Sequence, residues 1–384
     1  MTNANSQPLA HERILLVAEY YPIGGTRTYV KQLLDFYHRM GASVTLVSTM
    51  TAADTEMEHL CADLGVTLIT YPEVIGQPPV ARPSVWSPRR FARERRTFRR
   101  YADTRGFTRV VVSAGTPGLL LGALHSKPNG IYILHTYPHG LRQRLLARPY
   151  LSFRIPRGSQ IVCVSNFQRQ IVERLWRTVR RGVRVWTVVN SCGPAVPQHP
   201  TPSGPWQILT VSMVEAYKQP IAWVNVAARV SGILGRENVR FIWVGDGALR
   251  DAAEHHAHSF SSLADISFVG SRSDVGNYYK SSHLYFQYSS IENMSLAVID
   301  ALRHGLPSVV TDVGGLPEII EDGVTGRVIS PTSEEEAALA ITSILSGDAV
   351  LQHLELEAKI KYRKQFSVSQ WEREILKIHA DEGS

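Results

Sequence analysis

The chain has few cysteines and no long apolar run. Cys61, Cys163 and Cys192 are scattered and follow no metal-ligand spacing, so we expect reduced, buried thiols. No apolar stretch reaches the roughly 18–20 residues that a membrane-spanning helix needs, and Met1–His11 lacks the apolar core of a secretory signal. The sequence also lacks an Asp-x-Asp motif and any carboxylate cluster typical of a Mg²⁺ or Mn²⁺ site. We therefore expect a cytoplasmic protein that holds no metal.

The 384 residues exceed the size of one ordinary core, which indicates two domains of roughly 150–200 residues each. Basic residues are concentrated in the first 200 positions, with 26 basic against 11 acidic, whereas the remainder has 15 against 23. Ten arginines lie between Arg82 and Arg109. This run is typical either of a solvated helix face or of a surface that attracts anions.

Three anionic partners would fit that arginine run: lipid headgroups, phosphate-bearing acceptors and nucleic acid. We expect no nucleic acid, because the run carries no known binding motif and only Phe91 and Phe98 are interleaved aromatics. An anionic membrane surface is the partner that we expect instead, which would make the protein peripheral on the inner face of the plasma membrane.

Short apolar runs, rich in β-branched residues, alternate with helical patterns such as Thr28–Met40 along the chain. This alternation predicts an α/β doubly wound fold with buried parallel sheets. The predicted strands of the first half are Arg13–Ala18, Ser43–Ser48, Val66–Tyr71, Arg109–Ser113, Gly130–Leu134, Gln160–Val164 and Val183–Val189. Those of the second half are Gln207–Val211, Arg240–Val244, Ile266–Val269, Leu284–Gln287, Ser308–Thr311 and Gly326–Ile329.

Residues Ser191–Pro205 are rich in Pro, Gly and Ser and read as a linker. It separates a domain over residues 1–190 from one over 206–365, and two helical stretches, Ser333–Leu345 and Ser367–His379, end the chain. We expect residues 366–384 to pack back towards the N-terminal domain. Two such halves imply two parallel sheets facing across a cleft, with ligands at the carboxyl ends of the strands.

The most informative segment runs from Ser289 to Gly326. The pattern predicts a helix over Ser295–His304 that ends at Gly305, and the unpaired amides of its first turn suit a phosphate. Glu292 lies in the preceding loop. Asp300 stands in an otherwise apolar helix, where its carboxylate needs a partner. That partner is either a ribose hydroxyl or, in a purely structural arrangement, His304 one turn on.

This segment resembles the donor-site signature of the retaining family 4 glycosyltransferases, which have the GT-B fold. The family pattern is Glu, seven residues, Glu, then Ala, two residues, Gly-Leu-Pro, a strand, and Asp-x-Gly-Gly-x-x-Glu. This sequence matches it with Glu292, Asp300, Ala301, Gly305-Leu306-Pro307, Asp312, Gly314, Gly315 and Glu318. The departure is an aspartate at position 300 in place of glutamate.

The resemblance implies a role for each matching residue. Glu292 would meet the hydroxyls of the donor sugar, and Asp300 would meet the ribose. The amides of Met294, Ser295 and Leu296 would lie along the diphosphate.

Lys218 matches the phosphate-binding lysine of the family, whose ammonium would offset the charge of the leaving diphosphate. The family has an arginine five positions earlier, where this chain has Met213. Either one cation is missing or another arginine, such as Arg272, replaces it.

The resemblance continues more weakly elsewhere. Gly24 and Gly25 follow the first strand, like the N-terminal glycine loop of the family, although a structural turn would explain them too. His135 ends a strand where the family has a histidine near the reacting centre, and His139 is a weaker candidate. Gly245 matches the strand-end turn of the donor domain.

The resemblance implies a retaining enzyme that moves a hexose from a nucleotide diphosphate sugar, UDP- or GDP-linked, to an acceptor hydroxyl. The setting that we expect is bacterial surface glycan or glycolipid assembly, with no cofactor and the acceptor on the N-terminal domain. A natural-product transferase acting on an aminocyclitol or an aglycone is an alternative. A catalytically weak GT-B subunit that binds a glycan or a partner protein is another, because of Met213 and Asp300, and an epimerase is a third.

Overall fold

The computed structural model describes residues 7–21, 24–50, 54–78, 87–138, 154–176, 182–197 and 204–381. The chain divides into two compact units. Unit 1 comprises residues 1–188 together with 372–384, and unit 2 comprises residues 189–371. Each unit is built on one parallel sheet with helices around it, so the predicted pair of Rossmann-like α/β domains is confirmed.

The described strands of unit 1 form one parallel sheet in the order β3-β2-β1-β4-β5-β6-β7. Their bounds are Arg13–Ala18 (β1), Ser43–Ser48 (β2), Thr67–Thr70 (β3), Arg109–Ala114 (β4), Ile131–Leu134 (β5), Gln160–Cys163 (β6) and Arg184–Thr187 (β7). The central strands are buried on both faces, which explains their continuous apolar sequences. The strand order reverses between β1 and β4, which are hydrogen-bonded neighbours.

The described helices of unit 1 cover these strands. They are Gly25–Arg39 (α1), Thr55–Asp63 (α2), Tyr71–Ile75 (α3), Pro88–Thr104 (α4), Leu121–Leu124 (α5) and Asn166–Trp176 (α6). Most of the predicted arginine run therefore lies on one helix, α4. This helix buries Phe91 and Phe98 in the core and leaves most of its arginines exposed.

Unit 2 repeats the arrangement, with the strand order β10-β9-β8-β11-β12-β13. The strands are Trp206–Val211 (β8), Val239–Val244 (β9), Asp265–Phe268 (β10), Leu284–Gln287 (β11), Ser308–Thr311 (β12) and Gly326–Ile329 (β13). Its core contains the edge-to-face pair Trp223 and Trp243, whose ring centroids are 5.0 Å apart. Here the order reverses between the neighbours β8 and β11.

The helices of unit 2 begin at Pro220. They are Pro220–Leu234 (α7), Arg250–His258 (α8), Val275–Lys280 (α9), Leu296–His304 (α10), Leu316–Ile319 (α11), Glu334–Leu345 (α12) and Asp348–Lys361 (α13), followed by Val368–Ala380 (α14), which runs on into unit 1. The sequence patterns missed α13. Within the described ranges no single helix is long and apolar enough to cross a bilayer, although one pair bent by 99° passes by length and composition alone.

Candidate functional site

The strand order of the unit 2 sheet reverses between β8 and β11, and ligands of open α/β sheets bind at the carboxyl ends of the strands at such a point. Lys218 stands in the first loop and Glu292 in the second. Lys218 closes a short 3₁₀ turn over Ala216–Lys218, and α7 begins with Pro220 two residues later. The strand order therefore places both predicted charges at the same carboxyl edge of the sheet.

Backbone hydrogen bonds tie these two loops together. The Ser290 amide donates to the Tyr217 carbonyl at 2.8 Å, and the Ser290 hydroxyl donates to the same oxygen at 3.2 Å. On the other side, a Cβ at Gly314 would lie 1.7 Å from the Glu292 carbonyl oxygen. The Gly315 amide donates to the Asn293 carbonyl at 2.8 Å. A side chain would therefore not fit at Gly314, and both glycines contact the Glu292 loop through their backbone.

Lys218 and Glu292 form an ion pair through Nζ and Oε2. Their side chains are only 10% and 15% exposed, so the pair is largely shielded from water. Gln287 Nε2 donates to the same carboxylate oxygen at 2.9 Å, and the Asn293 amide donates to Oε1 at 3.2 Å. Nearby, burial and then the Glu292 charge raise the pKa of Tyr217 to about 12, so this phenol stays neutral.

Helix α10 begins directly after this loop. Ser295 is the N-cap, and its hydroxyl accepts the Val298 amide at 3.4 Å. The first intrahelical bond runs from the Ile299 amide to the Ser295 carbonyl, so the amides of Leu296 and Ala297 point out of the helix start. Met294 and Ser295, which directly precede the helix, are both buried. Partial positive charge at this terminus suits a diphosphate.

Asp300 lies on α10 but is engaged by its own helix. Its carboxylate accepts from Arg303 Nη1 at 2.9 Å. His304 Nδ1 bonds the Asp300 backbone carbonyl at 2.8 Å and lies 3.5 Å from the carboxylate. The partner of the carboxylate within the helix is therefore chiefly Arg303 rather than the expected His304. The ribose contact stays a prediction, and it requires Asp300 to share or release Arg303.

Arg303 also holds the start of the linker segment. Its Nε donates to the Pro194 carbonyl at 2.6 Å. The Cys192 thiol donates to the Leu296 carbonyl at 3.1 Å, and the Tyr362 hydroxyl donates to the Gly193 carbonyl. Residues 192–194 are therefore fastened to α10 rather than loose, and burial raises the pKa of the Cys192 thiol well above its usual value.

The other predicted donor residues of unit 2 occupy two loops. Gly245 has φ 141°, and a Cβ there would lie 2.0 Å from the Ser212 carbonyl oxygen, which gives a packing reason for the glycine. Met213, at the arginine position of the family, is 47% exposed. Arg272 is exposed in the loop between β10 and α9. No hydrogen bond among the described residues joins Arg272 to Lys218 or Glu292.

His135 follows β5 in unit 1, and its amide donates to the Ala114 carbonyl at 3.1 Å. The half-buried ring contacts Ser113 Oγ through Nε2 at 2.9 Å and packs edge-on against Tyr29. Burial lowers the pKa of His135 to about 4, so the imidazole is neutral at pH 7 and suits hydrogen bonding to a hydroxyl. His139 lies outside the described residues.

The reversal point of the unit 1 sheet carries a carboxylate that the sequence patterns missed. Glu19 follows β1 and is 7% exposed. It accepts the Thr116 amide at 2.7 Å and the Thr116 hydroxyl at 2.9 Å. Gly24, with φ 126°, and Gly25 open α1 nearby in the sequence, and a Cβ at Gly24 would meet no atom within 4 Å. A polar residue directly after a buried strand was the signal for Glu19.

Among the described residues, no group of three or more His, Cys, Asp or Glu side chains is placed to hold a metal ion. At the reversal point of the unit 2 sheet, positive charge is carried by Lys218 and by the first turn of α10, and Arg272 is exposed in the loop after β10.

Each half of the chain matches a model of a known protein family. Residues 23–189 match the model described as Glycosyltransferase Family 4, and residues 195–365 match Glycosyl transferases group 1. The chain belongs to glycosyltransferase family 4. The expected family and its GT-B fold are thereby confirmed.

Individual relatives are similar to this chain over different lengths, in sequence or in structure. Vi polysaccharide biosynthesis protein VipC/TviE of Salmonella typhi is 34% identical over 112 residues, which is 29% of this chain and 19% of that protein. A Rickettsia africae glycosyltransferase aligns with a TM-score of 0.75 at 16% identity, over 97% of this chain and 98% of the other. Anabaena HepE, solved with UDP and glucose, aligns with a TM-score of 0.70 at 16% identity, over 96% of this chain and 100% of the other. The chain thus spans less than a fifth of the length of its Salmonella relative.

Proposed function

We propose that this protein is a retaining glycosyltransferase that transfers a hexose from a nucleotide diphosphate sugar to an acceptor hydroxyl in bacterial surface glycan assembly. The observation that carries the proposal is the shielded Lys218–Glu292 pair at the reversal point of the unit 2 sheet, beside the first turn of α10. VipC/TviE, a polysaccharide biosynthesis protein by name, and HepE, solved with UDP and glucose, support the glycan setting and a UDP-linked donor.

In the proposed reaction the diphosphate binds at the first turn of α10. Lys218 then turns from Glu292 towards the leaving phosphate and offsets its growing charge. Glu292, freed from part of its partner, accepts hydroxyls of the donor sugar and stabilises positive charge at the ring. The acceptor hydroxyl attacks from the face that the phosphate leaves, and the phosphate takes its proton. We propose that no metal ion takes part, since lysine and amides supply the positive charge.

The remaining roles are assigned to unit 1 and to α4. We propose that unit 1 binds the acceptor and that the neutral ring of His135 hydrogen-bonds a sugar hydroxyl. The exposed arginines of α4 would bind anionic lipid and hold the enzyme on the inner face of the plasma membrane.

A melting-temperature screen against UDP-, GDP- and dTDP-sugars and the free diphosphates tests the donor. We expect one base to raise the melting temperature, because a ligand that binds only the folded state stabilises it. Lys218→Ala should reduce the turnover of that donor by roughly 10²-fold, as for losing one preorganised charge, and EDTA should leave wild-type turnover unchanged. Nucleotide bound to unit 1 in a crystal structure would overturn the assignment.

The exposed Met213 and the engaged Asp300 favour one rival, a weak GT-B subunit that binds a glycan or a partner. Hydrolysis of the donor without acceptor separates the two functions. The transferase releases nucleoside diphosphate slowly, and this release requires Lys218. The binding subunit gives a melting shift with no release at all.

A further inference from the structure

Gln287 is the last residue of β11 and is 1% exposed. A buried amide must satisfy both its NH₂ group and its oxygen, or the fold is destabilised. Gln287 Nε2 donates to Glu292 Oε2 at 2.9 Å. Its Oε1 accepts from the Ser295 hydroxyl at 3.0 Å and from the Tyr285 hydroxyl at 3.3 Å. One side chain thus bonds the Glu292 carboxylate and the N-cap of α10.

The chemistry of the partners fixes which way this amide faces. An ionised carboxylate only accepts, so the atom turned to Glu292 is the NH₂ nitrogen and the atom turned to Ser295 is the oxygen. The Ser295 hydroxyl must therefore give its proton to Gln287. Its lone pairs are left to accept the Val298 amide. The amide of Gln287 consequently orients both the carboxylate and the helix cap.

The central strand β11 holds the backbone of Gln287 in place. Strand β11 lies between β8 and β12, and the Tyr285 hydroxyl on that strand lies 3.2 Å from the Val211 carbonyl oxygen, so this oxygen and Gln287 Oε1 share its single proton. Glu292 and Ser295 come from a loop and a helix start, which are less constrained than a central strand. Lys218 shares Glu292 Oε2 with Gln287, but a lysine is mobile and a phosphate would compete for it.

We propose that Gln287 is a positioning residue of the donor site, which keeps the Glu292 carboxylate aimed at the sugar while Lys218 serves the phosphates, and which sets the Ser295 cap beneath the diphosphate. This inference rests on the proposed function. Among the described residues, the charged and titratable groups that interact with Glu292 include Lys218, Tyr217 and Tyr285.

Two variants test the role, Gln287→Met and Gln287→Glu, with Gln352→Glu on the exposed face of α13 as a charge control. Methionine is similar in size to glutamine and removes all three side-chain hydrogen bonds, to Glu292, Ser295 and Tyr285. We expect kcat for the donor found in the screen to fall about tenfold at every pH, the effect of losing a hydrogen bond to a charged group, with KM within threefold. The control should follow wild type.

Gln287→Glu gives a pH signature that a packing role would not give. At low pH a protonated Glu at 287 donates to Glu292 as the amide does. At high pH both carboxylates are ionised and repel each other, because two carboxyls this close share one proton. We expect kcat of this variant, divided by that of wild type, to fall at least ~30-fold from pH 5.5 to 8.5. An unchanged ratio would overturn the proposal.

Melting temperatures separate this inference from the proposed function, since they need no donor. The deficit of Gln287→Glu against wild type should grow from pH 5.5 to 8.5, and that growth should vanish when Glu292→Gln is added. A pH dependence that survives in the double variant would show that Gln287 does not hold Glu292. If the melting cycle behaves as expected but wild type turns over no sugar nucleotide, the proposed function and the catalytic positioning fail together and only the contact stands.

Discussion

At the scale of the residue, Glu292 and Lys218 neutralise each other's charge in an ion pair. A carboxylate and an ammonium, each mostly shielded from water, form a pair whose breaking is unfavourable unless something replaces each partner. Under the proposed function, a donor would supply both replacements at once, phosphates for the lysine and hydroxyls for the carboxylate. The pair would then favour a complete sugar nucleotide over a sugar alone, which replaces only one partner.

Glu292→Gln tests this balance. The substitution keeps the shape and removes the charge, so Lys218 is released to the phosphates and nucleoside diphosphate affinity should be unchanged or slightly higher. Turnover should fall by at least ~10², comparable with the loss of one preorganised electrostatic group. Affinity, melting temperature and turnover are measured on one preparation. A well-folded variant with near-normal turnover would remove Glu292 from the active site.

Much of this site could be predicted from residue types and spacing, since Glu292 and the start of α10 are local features of one segment. The contact between Lys218 and Glu292 could not, because 74 positions separate them and only the strand order brings β8 beside β11. Gln287 was overlooked because a single polar residue at the end of an apolar strand carries no periodic signal. Asp300 was identified, but its bond to Arg303 depends on side-chain geometry.

At the scale of the element, the second half of α14 is part of unit 1 through a buried polar cluster. His379 is 4% exposed, and its Nε2 lies 3.1 Å from the Tyr37 hydroxyl. Arg109 donates to the His379 carbonyl at 3.2 Å and pairs with Glu12, and Gln160 donates to the Ile378 carbonyl at 2.9 Å. Burial, and then the Arg109 charge, lower the pKa of His379 to about 3.

This cluster should make unit 1 sensitive to acid. The pKa of His379 is lower in the folded than in the unfolded chain, so the unfolded state binds more protons as the pH falls below about 6.5. The contribution of the neutral His379 to the free energy of unfolding is present above that pH and is lost as the pH falls towards 3. Between pH 7 and 5 the loss attributable to His379 is about 2 kcal/mol. Urea unfolding of wild type and His379→Gln at pH 5, 6 and 7 measures it.

The variant should be less stable than wild type at pH 7 but lose about 2 kcal/mol less on acidification. His135, whose pKa is lowered to about 4, contributes a slope of the same sign that both proteins retain. His59→Gln changes an exposed histidine on α2 and serves as the control. Equal pH slopes in wild type and His379→Gln would mean that the ring is not held neutral by the fold.

Elements were more predictable than contacts. The strands stand within a residue or two of their expected places because buried parallel strands have a distinct composition. Helix α13 was missed because its sequence, DAVLQHLELEAKIK, buries only Leu351, Leu354 and Ala358 and has a weak apolar face. The buried His379 of α14 and its contact with Arg109 of β4 had no signal in the sequence, because the burial of a single polar residue leaves no periodic pattern.

At the scale of the whole molecule, the charge is divided between the two halves of the sequence. The N-terminal half is strongly basic and the C-terminal half is acidic, and α4 concentrates the excess. Arg95, Arg96, Arg99 and Arg100 are all exposed on it, and within the described ranges only Arg99 has an acidic neighbour in contact, Asp103 at 3.9 Å. A helix that buries Phe91 and Phe98 in the core and exposes most of its arginines suits a negatively charged surface.

Vesicle sedimentation tests that surface. Wild type should bind vesicles that contain anionic lipid at low salt and leave them as salt is raised, because screening shortens the reach of the charges. Replacing Arg95, Arg96, Arg99 and Arg100 with Ser should weaken binding by roughly 10²–10³-fold, at about 1 kcal/mol for each arginine. The matched control replaces four exposed basic residues of unit 2, Arg229, Arg236, Arg240 and Lys280, and changes the net charge equally. Equal losses of vesicle binding in the two variants would indicate attraction by net charge alone. If the wild-type protein does not bind anionic vesicles at low salt, the membrane assignment is wrong and α4 is a solvated helix.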